Sequence, residues 1–100
     1  MAEKVKGTTS SGFKFAIDDN VFNDWRFLQA TRKANNGTGE EQMDASFELV
    51  ALLFNDQKEE ERFYSFLAKK NGGRVPVDVV GTEVGEIMSI IRESTKSAKN

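Results

Sequence analysis

Apolar residues recur along this chain with two different periods, and the change of period divides it. From Phe13 to Ile17 every second residue is apolar, which places Phe13, Phe15 and Ile17 on one side of an extended segment. Downstream the spacing is three and four, the period of amphipathic helices. Residues 1–12, including Gly7-Thr8-Thr9-Ser10-Ser11-Gly12, are small and polar with nothing to bury, and read as a disordered leader. The extended segment is a short strand or an arm. A lone strand in a helical domain must pair with a second copy or lie across helices to satisfy its backbone groups.

Four helices are predicted after it. Asp18-Asp19-Asn20 supplies N-cap oxygens for a first helix from about Asn20 to Asn35, with Val21, Phe22, Trp25 and Leu28 facing inward. Phe27 falls off that stripe by more than a right angle; it either touches a neighbouring loop or stands exposed as an aromatic anchor for a partner. Asn35-Asn36-Gly37-Thr38-Gly39 stops the helix. A phosphate-cradling loop needs Lys-Ser/Thr after its last glycine, whereas Glu40 and Glu41 follow here and suit a helix start.

Met43 to Phe54 is the most apolar stretch and carries two apolar faces. Met43, Phe47, Val50, Ala51 and Phe54 form one stripe; Leu49, Leu52 and Leu53 lie on roughly the opposite side. Such a helix needs partners on both sides. It is either the centre of a bundle or a core helix whose second stripe meets another chain. Asp56, with Glu59 three residues on, opens a third helix that runs to about Lys70 with Phe63, Phe66 and Leu67 inward, and Asn71-Gly72-Gly73 ends it in a left-handed cap. Pro76 sits at or near the start of the last helix, where Val77, Val80, Val84, Ile87 and Ile91 form a coiled-coil-like seam. Gly81 and Gly85 weaken that helix, and permit close packing or a break at Gly81-Thr82. The fold class expected is mainly α: a single domain over residues 13–94, a small bundle of about four helices preceded by the short extended arm or strand, with a frayed tail at residues 95–100.

Composition narrows the chemistry. One hundred residues make one domain. The chain has neither cysteine nor histidine, which removes disulfides, thiol nucleophiles, imidazole catalysis and Cys/His zinc sites, so no catalytic, cofactor-binding or metal-ligating residue is assigned and no enzyme is expected. Glu59, Glu60 and Glu61 read as a solvated first helical turn in preference to a metal site. A net charge of -2 with both signs interspersed leaves no footprint for nucleic acid; Lys69, Lys70 and Arg74 read as cations opposing a helix dipole. The longest apolar run, Leu49 to Phe54, falls far short of the ~20 residues that span a bilayer. Met1 to Lys6 lacks the apolar core of a signal peptide, so a cytoplasmic protein without membrane partners is expected.

The order of these elements resembles the tail assembly chaperones of long, non-contractile-tailed bacteriophages. The resemblance spans about residues 13 to 92. It rests on the aromatic arm Phe13-Lys14-Phe15-Ala16-Ile17-Asp18, a first helix with Asp24-Trp25 and Leu28, and a middle helix ending in Leu52-Leu53-Phe54. Gly73-Arg74-Val75-Pro76 and a final helix with Glu86-Ile87 complete it. It implies a helical protein without enzymatic activity that coats and solubilises the tape measure protein and helps recruit tail tube protein. It further implies action in the host bacterial cytoplasm and departure before the tail is complete. Many such chaperones are also made in a longer, frameshifted form, and Ala98-Lys99-Asn100 is compatible with a slippery run of A bases. Phe27, Leu49, Leu52 and Leu53 are the expected client-contacting or self-associating surface, in a homo-oligomer; Trp25, Phe47, Val50, Phe54, Phe63 and Leu67 are the expected core.

Three other readings compete with this one. A tail-completion or head-tail joining protein has similar size and remains in the particle. A small helical adaptor has no affinity for tape measure segments. A helix-turn-helix repressor needs a basic exposed helix, whereas the last helix carries Asp78, Glu83, Glu86 and Glu93 against Arg92.

Overall fold

The computed structural model describes residues 4–98, which fold as a two-stranded antiparallel sheet and four helices. Strand β1 (Lys4–Thr8) pairs with β2 (Lys14–Asp18), Lys4 lying opposite Asp18 and Thr8 opposite Lys14. A 3-10 turn (Asp19–Asn23) leads into α1 (Trp25–Asn36), followed by α2 (Gly39–Phe54), α3 (Gln57–Lys70) and α4 (Val77–Ala98). The mainly helical class and the helix count agree with the sequence pattern.

The hairpin corrects the expected disordered leader over residues 4–12; residues 1–3 lie outside the described residues. It also answers where the Phe13-to-Ile17 strand finds its hydrogen bonds: within its own chain. Composition hides β1 because a glycine stands where a strand pattern would show an apolar residue. A Cβ on Gly7 would lie 2.7 Å from Phe15 Cζ and 2.9 Å from Ile90 Cγ2, so only glycine lets the strand approach both. Gly7→Ala is therefore expected to destabilise the chain by about 1–3 kcal/mol through overpacking, read as a lower urea midpoint with an unchanged m-value.

The polar hairpin turn is a clasp on α4. Thr9 Oγ1 donates to Glu83 Oε1 at 2.9 Å, and Ser11 Oγ donates to the same oxygen at 2.7 Å. The Ser10 amide and hydroxyl both donate to the Glu86 carboxylate. Thr9 Oγ1 also accepts from the Phe13 amide, and Gly12 turns the chain with φ +102°. Glu83, only 5% exposed, is thus hydrogen-bonded where it is buried.

Caps set most helix boundaries. Asp24 accepts from the Arg26 amide and starts α1 at Trp25, five residues after the expected start at Asn20; Asp18 caps the 3-10 turn instead. Thr38 and Glu41 form a reciprocal capping box at α2, and Asp56 caps α3. Gly72 and Gly73 both have positive φ, and the Gly73 amide returns to the Ala68 carbonyl. α4 runs unbroken through Gly81-Thr82 and on to Ala98, past the residue 95 boundary that polarity alone sets for the tail. Lys99 and Asn100 lie outside the described residues.

The core joins β2 to all four helices: Phe13, Phe15, Ile17, Val21, Phe27, Val50, Leu53, Phe54, Phe63, Leu67, Val84, Ile87 and Ile91. Phe13 is its aromatic centre, edge-on to Phe54 and Phe63 with ring centroids 6.1 and 5.2 Å away. Arg62 lies 4.6 Å over the Phe13 ring, donates to the Lys14 carbonyl of β2, and pairs with Glu59 at 2.9 Å. The hydrogen bond from Arg62 holds the Glu59 carboxyl below the usual carboxylate range.

Two expected core residues are on the surface. Trp25 is 71% exposed and Phe47 61%, whereas Phe27, expected off the inward face, is 1% exposed. The cause at α1 is the break at Asp24, whose extended backbone separates the 3-10 turn from the helix. Val21 and Trp25 then no longer share one helical phase, and α1 turns Phe27 and Ala30 inward. At α2, which pairs extensively with α1, the buried residues are Ala45, Val50, Leu53 and Phe54, so the face that carries Phe47 and Met43 is left outside.

Candidate helix-binding groove

α2 and α4 each have a second apolar face, and these faces line one groove. On α4 the lining residues are Val77, Val80, Gly81, Val84, Gly85, Met88 and Arg92, a single stripe at spacings of three and four. The opposite wall is Met43, Ser46, Phe47, Leu49 and Val50 of α2, continued by Thr31, Ala34 and Asn35 of α1. Tyr64 of α3 and Val75 of the α3–α4 loop complete a groove of about 620 Å³. Its most exposed apolar members are Val77 (66%), Phe47 (61%) and Met43 (46%).

The groove exists because α4 is held mainly by the hairpin. Its clasp residues Glu83 and Glu86 and its contact residue Ile90 face β1 and the turn, while Val84, Ile87 and Ile91 enter the core. The Val77-to-Ile91 seam expected from sequence is therefore divided. Its last three members are core, and Val77 and Val80 belong to the groove.

Of the four residues expected to form the association surface, Leu49 alone lines this groove. Phe27 and Leu53 are core residues, which corrects their assignment to a surface. Leu52 is half-buried and borders a smaller hollow with Asp18, Val21 and Asp24 on another side of α2. Sequence reasoning missed Met43 and Phe47 as surface: it placed Phe47 in the core and Met43 on the same stripe. The available signal was the breadth of α4: apolar residues at 77, 80, 84 and 88 beside those at 87, 90 and 91 exceed what one partner face requires.

Polar groups in the lining are few. Burial, with the Glu60 carboxylate adding to it, pushes the Tyr64 phenol up, so it stays a neutral hydroxyl through physiological pH. Among the described residues Arg92 is the one charged side chain in the lining; its guanidinium stacks over Phe22 at 5.0 Å. Hydroxyls, an amide and a guanidinium around an apolar trough are suited to binding an apolar surface and orienting it. Among the described residues no group of three or more acidic side chains is placed to hold a metal ion, and no helix is long and apolar enough to cross a membrane. Trp25 and Leu28, three residues apart on α1, are exposed outside the groove.

Compared with protein-family models, curated proteins and solved structures, the chain matches none. The groove's own geometry therefore carries the functional reading.

Proposed function

We propose that this chain is an assembly chaperone that holds apolar helices of a client in the α2–α4 groove, the client being the tape measure protein of a long, non-contractile phage tail. The observation that carries the reading is the groove's shape: the apolar stripe of α4 runs from Val77 to Arg92, about 22 Å or four helical turns. A trough of that length, walled by apolar faces of two helices, matches the helix-in-groove mode of recognition. The order of sequence elements from the Phe13 arm to Glu86-Ile87 supports the choice of client, because a tape measure protein presents long apolar helices. Each contact is small, and several copies along one extended client act by avidity. Tail tube protein is the second partner in this reading, and the chain binds without catalysing a reaction.

The test is co-expression with fragments tiled along a tape measure protein, scoring solubility and co-purification. Wild-type protein is expected to keep at least the most apolar fragments soluble. Met43→Ser/Phe47→Ser should abolish this while changing stability by less than about 1 kcal/mol, since both side chains are exposed, by 46% and 61%. Precipitation of every fragment in the presence of wild-type protein defeats the reading.

A further inference from the structure

Two glycines lie in the interior of α4, and the chain's own packing has no use for them. Glycine is the poorest helix former after proline. Gly7 earns its place by a close approach to Phe15 and Ile90, but a Cβ on Gly81 or Gly85 would meet nothing within 4 Å. Both have φ in the ordinary negative range, so no turn requires them either. Both line the groove, four residues apart, with Val80, Val84 and Met88 around them. The pair therefore makes a notch along an i±4 row, the row into which the ridge of a second helix packs.

At one end of the same stripe stands Arg92. Its guanidinium rests on Phe22 and has no ion pair among the described residues. Among the described residues no other charged side chain lines the groove, so charge complementarity asks the occupant for a negative group at that end.

We propose that the occupant of the groove is a partner helix that crosses α4 in close contact at Gly81 and Gly85, presenting small residues of its own there and an acidic side chain to Arg92. The proposal rests on the helix-binding reading above and adds which residues a client helix must carry. Small residues on both sides let two helix backbones approach more closely than larger side chains allow, and the larger residues beside the notch then interdigitate. A helix with leucines at the contact would be held away from the notch. The glycines thus select among apolar helices by shape, and Arg92 sets the direction in which the selected helix lies.

Three fluorescein-labelled 18-residue helical peptides test this by anisotropy. The first carries two alanines four apart between leucines and one glutamate a turn from its end. The second has leucine at the two alanine positions, and the third has glutamine for the glutamate. Wild-type protein is expected to bind the first at least about tenfold more tightly than the second. Gly81→Leu/Gly85→Leu, which fills the notch, should lose binding of the first peptide. Its melting temperature should nevertheless rise by roughly 4–8 °C per substitution, because a better helix former replaces glycine in open space. Arg92→Gln should weaken the first peptide several-fold and leave the third unchanged.

Equal binding of the first two peptides, or tight binding of the first by the folded leucine variant, overturns the proposal. A dimer that the first peptide does not displace in sedimentation also overturns it, since a second copy then holds the groove. Failure here separates cleanly from failure of the chaperone reading. Tape measure fragments that co-purify equally with the leucine variant leave the chaperone and remove the glycine contact. Peptide binding through the glycines with no fragment ever co-purifying does the reverse.

Discussion

Phe13→Ala is expected to lower the urea midpoint of the chain sharply. Its ring is 1% exposed, contacts Phe54, Phe63 and Phe66, and supports the Arg62 guanidinium that ties α3 to β2. Emptying such a site removes the transfer energy of the ring and leaves a cavity, together about 3–5 kcal/mol. A domain of this size has about 5–15 kcal/mol in total, so the loss takes from about a fifth of the reserve to nearly all of it. Urea denaturation followed by far-UV circular dichroism measures it. A loss below about 1 kcal/mol would mean that the hairpin is an appendage and that the helices hold together without it.

Phe27→Ala and Trp25→Ala, two residues apart on α1, should differ by more than their side-chain sizes imply, and in the opposite sense. Trp is the larger residue, yet it is 71% exposed, whereas Phe27 is 1% exposed and edge-on to Phe22 with centroids 5.8 Å apart. We expect about 3–5 kcal/mol for Phe27→Ala and under about 1 kcal/mol for Trp25→Ala. Parallel urea titrations of the two variants decide it. Equal losses would place Trp25 in the core and require α1 to begin in phase with Val21, as the sequence stripe alone implies.

That pair of residues also shows where reading the sequence stops working. The helical period correctly indicates that residues in the twenties and thirties form a helix with an apolar face. The face itself depends on where the helix starts, and two nearby aspartates, Asp18 and Asp24, both offer cap oxygens. Each takes one cap, the helical path is interrupted at Asp24, and the inward direction shifts to Phe27 and Ala30. In α2 the ambiguity is different. Both faces are apolar, so hydrophobicity cannot rank them, and the choice falls to the packing of α2 against α1. The hairpin was hidden for a third reason: its inward positions include a glycine, and its turn is hydrophilic because it bonds to Glu83 and Glu86, more than 70 residues away.

By itself, then, the sequence determined the local elements. The helical periods, the Thr38, Asp56 and Gly72-Gly73 boundaries, the alternation from Phe13 to Ile17, and the absence of cysteine and histidine all act within a few residues or through composition. Tertiary structure decided which apolar face each helix buries and which it leaves open. That choice depends on contacts between distant segments: the Thr9-to-Ser11 clasp on α4, the fit of α1 against α2, and the packing of Gly7 beneath Ile90. Holding α4 from the hairpin side leaves its Val77-to-Arg92 stripe facing Phe47 and Met43 across open space. No pattern along the chain records that space, because it is bounded by helices that are distant in the sequence.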